Sequence, residues 1–80
     1  MTDTSTQQPI RVSTESLSGP YIKVSVELLE KVRRLLVENG IRHWVEHLAI
    51  SVDGRPAVTV IYLGRNTDSR QVQDLLDAAA

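Results

Sequence analysis

The stretch Ala57-Val-Thr-Val-Ile-Tyr-Leu63 decides the fold of this 80-residue chain, because nearly every position in it favours leaving water. A β-strand turns successive side chains to opposite faces. Val58, Val60 and Tyr62 therefore point one way, and Ala57, Thr59, Ile61 and Leu63 the other. A half-exposed strand carries polar residues at every second place, whereas a near-continuous apolar run predicts burial on both faces. The rest of the chain holds only two helical patterns, enough to cover one face of a sheet. What covers the other face is the question this stretch poses.

Immediately upstream, Asp53-Gly54-Arg55-Pro56 reads as a turn, Gly54 being free to take positive φ, and it joins 49–52 to 57–63 as a hairpin. Residues 42–52 are rich in β-branched and aromatic side chains and contain no Gly or Pro. Strands average five or six residues, so this segment is expected to form two short strands or one with a sharp bend near Glu46-His47-Leu48.

Downstream, Gly64 ends the strand and Asp68, with Gln71 three places on, opens a helix. Val72, Leu75, Leu76 and Ala79 give that helix one apolar stripe. An earlier helix carries Leu28, Leu29, Val32, Leu35 and Leu36 on one side. Ser25 is its expected N-cap, with Val24 and Leu29 as a hydrophobic staple and Glu27–Lys31 and Glu30–Arg34 as i,i+4 pairs. Asn39-Gly40 stops it, Gly40 taking the left-handed position and Ile41 folding back toward Leu36.

Before that helix, 20–25 reads as a short strand and 10–13 alternates as an edge strand would. The loop 14–19 between them offers Leu17 as an anchor on the core. Residues 1–9 are Thr, Ser, Gln and Pro with one acid, and are expected to form a disordered polar tail ahead of a single domain over 10–80. The expected fold class is α+β: a single antiparallel sheet of three to five short strands with two amphipathic helices packed on one face, in the order β-α-β-β-(β)-α.

Composition narrows the function classes. Nine Lys and Arg against ten Asp and Glu leave a formal charge of -1. A nucleic-acid binder usually needs a basic surplus to release counterions from phosphates, so the balance argues against one. With no cysteine, disulfides and thiolate metal sites are excluded, and the chain suits a reducing cytoplasm. No apolar run approaches the roughly 20 residues of a membrane span. Residues 1–9 have neither the basic nor the apolar region of a secretory signal. No cofactor motif is present.

Two patterns invite chemistry. His43-Trp-Val-Glu-His47 matches the H-x-x-E-H pattern of inverted zinc proteases, which need both His on one helical turn. On a strand the two His share a face but stand about 13 Å apart, so they read as rim histidines and no metal is expected. At Gly64-Arg65-Asn66-Thr67, leading into Ser69-Arg70, a helix N-terminus flanked by Arg65 and Arg70 could hold an anion. Asp68 competes for the same donors and repels negative charge, which makes this a weak site.

The pieces Leu28-Leu-Glu-Lys31, Leu35-Leu-Val-Glu-Asn-Gly40, Asp53-Gly-Arg-Pro-Ala-Val-Thr59 and Val72-Gln-Asp-Leu-Leu76 give a further lead. Over 28–80 their order resembles the HicA-type toxins, small ribonucleases with a double-stranded-RNA-binding-like fold. That resemblance implies an RNA-acting protein in which His47 serves as general base and the Arg34 and Arg42 region holds phosphates. The family's Gly-Ser-His element is replaced here by Glu46-His47-Leu48-Ala49, and the family is typically basic where this chain is not.

Trp44 is the only Trp, and there is no Phe. Trp and Tyr favour interfaces because they bury much area while keeping a polar handle. Trp44, Ile61, Tyr62 and Leu63 are therefore the expected interface residues. The expected function is a small non-enzymatic protein-interaction module, a homodimer or a subunit of a larger assembly. It would associate with itself or another protein through an uncovered sheet face or edge strand.

Overall fold

A computed structural model describes residues 1–4, 7–15, 17, 19–46 and 57–79. Strands β1 (Thr2–Asp3) and β2 (Gln8–Pro9) form a small hairpin, followed by β3 (Val12–Ser13) and β4 (Tyr21–Ser25). Helix α1 (Val26–Glu38), β5 (Trp44–Val45), β6 (Val58–Tyr62) and helix α2 (Ser69–Ala78) complete the order. The main sheet is antiparallel, in the order β3-β4-β6-β5. The chain is thus a small α+β fold with two helices, as its periodicities imply. The expected hairpin through Asp53–Pro56 lies outside the described residues.

Period-two alternation sets the two faces. Ile22 pairs with Ile61 and Val24 with Thr59 across β4 and β6, so these four share one side. Ile22, Val24, Ile61 and Leu63 are buried there with Val32 and Leu36 of α1 and Val72 and Leu76 of α2. Both helices therefore cover the same face. Thr59, the polar member of that face, is buried with its hydroxyl donating to the Glu46 carbonyl at 3.2 Å.

The ends of the helices follow their local chemistry. Gly40 sits at φ 67 and closes α1 in a Schellman arrangement, with Gly40 N–H donating to the Val37 carbonyl and Ile41 N–H to that of Leu36. Asp68 caps α2 by accepting from the backbone N–H groups of Arg70 and Gln71. On α1, Glu30 pairs with Arg33 at 3.2 Å, three residues on, in place of the expected Arg34.

Ser25 departs from its expected role. It occupies the N-cap position of α1, but its side chain makes no cap bond there. Its hydroxyl donates instead to Asp3 Oδ1 at 2.9 Å, and its backbone N–H to Asp3 Oδ2 at 2.8 Å. Strand β3 stops short of Ser25, which leaves that edge donor of β4 without a ladder partner, and the Asp3 carboxylate supplies one.

The expected structureless tail over 1–9 therefore differs from what is found. Asp3 is 3% exposed, Ile10 N–H donates to the Met1 carbonyl, and the Met1 ammonium donates to the Leu76 carbonyl at 2.6 Å. A positive group at the C-terminal end of α2 also complements the helix dipole. The loop residue expected as an anchor is not one, since Leu17 is 92% exposed. Its carbonyl serves the fold by accepting from Arg65 Nε at 3.1 Å.

Of residues 10–13, Val12 and Ser13 join this sheet as β3. Val12 pairs with Ile22 and Ser13 with Tyr21. The outer margin of β3 is closed by Gln73 of α2, whose Oε1 accepts from Val12 N–H at 2.8 Å. Its Nε2 donates to the Ile10 carbonyl at 3.2 Å. One side-chain amide thus stands where a neighbouring strand's peptide group would.

Candidate functional site

Among the described residues the helices cover one face of the sheet only, and the register of the other face assembles an aromatic row. Tyr21 lies opposite Tyr62, and Tyr62 opposite Trp44, on three adjacent strands. Ser13 extends the row on β3. One pleat further along, Lys23 lies opposite Val60. Glu46 stands on the other side of Val60, its N–H donating to the Val60 carbonyl. Of the described residues on this face only Ser25 is buried; Tyr21, Val58, Val60 and Tyr62 are half-buried, and Lys23, Trp44 and Glu46 are exposed. The N-terminal hairpin reaches this face at its Ser25 end, where the Ser25 hydroxyl donates to Asp3 Oδ1, while Met1 binds at α2.

Trp44 is 54% exposed, a large fraction for the biggest apolar side chain. Its indole stacks on Tyr62 with ring centroids 5.8 Å apart and planes 26° from parallel, an offset arrangement that aromatic quadrupoles favour. It also lies close over Gly64. The Tyr62 hydroxyl donates to Glu46 Oε2 at 2.7 Å. That hydrogen bond, then partial desolvation, then the charges of Glu46 and Tyr21 hold the Tyr62 phenol above its ordinary pKa of 10.0. The stack and the hydrogen bond fix both rings on a rigid strand pair.

Beside the row an open cleft of about 560 Å³ is lined by Arg33, His43, Trp44, Val45, Glu46 and Tyr62. His43 shares a hydrogen bond with the Ile41 carbonyl through Nδ1 at 3.0 Å. Arg33 is held by Glu30. Trp44 and Val45, the centre of the H-x-x-E-H pattern, form a strand, so the helical spacing on which zinc binding depends is not built. His47 lies outside the described residues. Among the described residues no group of three or more His, Cys, Asp or Glu is placed to hold a metal ion.

The structure divides the expected interface residues in two. Trp44 and Tyr62 are on the open face. Ile61 and Leu63 are 0% and 2% exposed in the core, because the helices settle on the Thr59–Ile61–Leu63 side of β6. Sequence reasoning missed Tyr21, Lys23 and Glu46 for this face. Their parity was readable, but only the strand register shows that they flank Tyr62 and Val60. Arg65 and Arg70 are both exposed. Arg65 is tied to Leu17, and the free N–H groups of α2 at Arg70 and Gln71 are taken by Asp68, which leaves no cradle for an anion.

No protein-family model matches the chain, and the curated proteins and solved structures searched hold no match either. Among the described residues no helix is long and apolar enough to cross a membrane.

Proposed function

We propose that this chain is a small non-enzymatic protein-interaction module that associates through the open face of its sheet. One observation carries the reading: Tyr21, Tyr62 and Trp44 are lined up on the face the helices leave uncovered, with Trp44 54% exposed. Aromatic side chains prefixed on strands lose little conformational freedom on binding, which is the property of interface hot spots. The cysteine-free composition suits work in a reducing compartment such as the cytoplasm.

Trp44 itself supplies the test, since it is the only Trp and its fluorescence reports its surroundings. Raising the concentration of the purified protein should shift the Trp44 emission to shorter wavelength; in an extract of the native host the sedimenting mass alone is read. The sedimenting mass should rise in parallel, and Trp44→Ala should abolish that rise. A protein that stays monomeric in both settings, with emission fixed at that of exposed indole, would end this reading.

A further inference from the structure

We infer that the occupant of the open face is a second copy of this chain, packed sheet on sheet about a two-fold axis along β6, with Lys23 of each copy opposite Glu46 of the other. This rests on the interaction reading above and makes it specific.

The argument is one of positions. Lys23, Val60 and Glu46 stand side by side on β4, β6 and β5, and Tyr21, Tyr62 and Trp44 do so one pleat away. A two-fold axis lying in the contact plane along β6 exchanges the β4 side of one copy with the β5 side of the other. Strand spacing within a sheet is about 4.8 Å and facing sheets pack about 10 Å apart, within reach of a Lys and a Glu side chain. The operation sets Val60 on Val60 and Tyr62 on Tyr62, and puts each Tyr21 over the other copy's Trp44. It also creates the Lys23–Glu46 pair twice, as an isologous contact requires.

Both charges suit the role. Lys23 is exposed on a central strand, and its ammonium has no hydrogen bond or ion pair among the described residues. Glu46 is exposed and directed by its Tyr62 bond through Oε2, while Oε1 accepts nothing from the described residues. A face with an unpaired cation on one side of its central strand and an oriented anion on the other is complementary to its own two-fold image. A flanking acid also disfavours a phosphate backbone as the occupant.

The contact is small. Strands β4 and β6 are 5 residues each, so the face is about 16 Å long and about 14 Å wide. That places the pair in the small, reversible class of interfaces.

Charge reversal reads this out. Lys23→Glu and Glu46→Lys are both surface changes, and circular dichroism checks that each variant folds. In sedimentation equilibrium each single variant should self-associate at least about tenfold more weakly than the parent, because like charges then face each other. An equimolar mixture of the two single variants, and the double variant, should recover the parent affinity to within about threefold, because opposite charges again face each other. A parent dimer whose mixed variants show no recovery would overturn this geometry while leaving the interaction reading intact. A parent that stays monomeric to about 1 mM would overturn the self-pairing. The interaction reading would then survive only through a heterologous protein lost on Trp44→Ala. A shift of Trp44 emission on adding single-stranded RNA to the parent protein would overturn both.

Discussion

Replacing Asp3 with Ala tests how firmly the N-terminal hairpin belongs to the domain. The Asp3 carboxylate is 3% exposed and accepts both buried donors of Ser25, the N–H at 2.8 Å and the hydroxyl at 2.9 Å. Truncation to Ala leaves two donors without acceptors in a residue that is 0% exposed. Each stranded donor costs about 1–3 kcal/mol, and water entering the vacated space returns part of it. The net loss should be about 2–4 kcal/mol. A domain of this length holds about 4–12 kcal/mol in total, so the change removes a large share. At about 4–8 °C per kcal/mol, the thermal midpoint by far-ultraviolet circular dichroism should fall by at least about 8 °C. Ser25→Ala keeps the N–H bond and should cost only about 1 kcal/mol, and the double variant should show strong coupling between the two sites. An Asp3→Ala midpoint within about 2 °C of the parent would refute the reasoning, since Ser25 would then have another way to be satisfied.

Four further outcomes are expected. Gly19→Ala should cost more than about 2 kcal/mol in urea denaturation, because Gly19 has φ 100 and an added Cβ would lie 2.8 Å from Arg65 N. Gly40→Ala, at φ 67 with open space around it, should cost only about 1 kcal/mol of left-handed strain; equal costs would discount the close approach at Gly19. Gln73→Ala should cost about 1–2 kcal/mol and speed hydrogen exchange at the Val12 amide, which loses its acceptor. The raised Tyr62 pKa means its contribution to stability is complete below 10.0 and fades as pH rises through the folded value; Glu46→Gln should bring the titration seen in ultraviolet absorbance down toward 10.0.

Elements that depend on neighbours in sequence were legible from it. The Schellman end at Gly40, the Asp68 cap and the stripes of both helices rest on contacts three to six residues apart, and each formed as its local chemistry implies. The alternation in β6 was equally readable, but parity does not say which side receives the helices. Both sides of that strand are apolar, and the choice is made by Ile22 and Val24 pairing into register with Ile61 and Thr59. Ile61 and Leu63 were therefore expected at a surface they do not reach.

The tail misled for a related reason. Composition averages over a segment, whereas Asp3 is recruited singly, by a strand donor that exists only because β3 ends early. Ser25 shows the same limit. Its sequence neighbours mark it as a cap, yet a carboxylate from 22 positions away takes its hydroxyl. Lys23 and Glu46 are ordinary charges in the sequence and become a matched pair of positions only through strand register.

The amide of Gln73 has a consequence for how such sheets can aggregate. Endless side-by-side stacking, of the kind that builds fibrils, requires every copy to offer two bare margins, one to receive and one to extend. With Val12 N–H and the Ile10 carbonyl already engaged, one margin is stoppered from within the same molecule. Joining through the remaining margin alone therefore halts after a single pair.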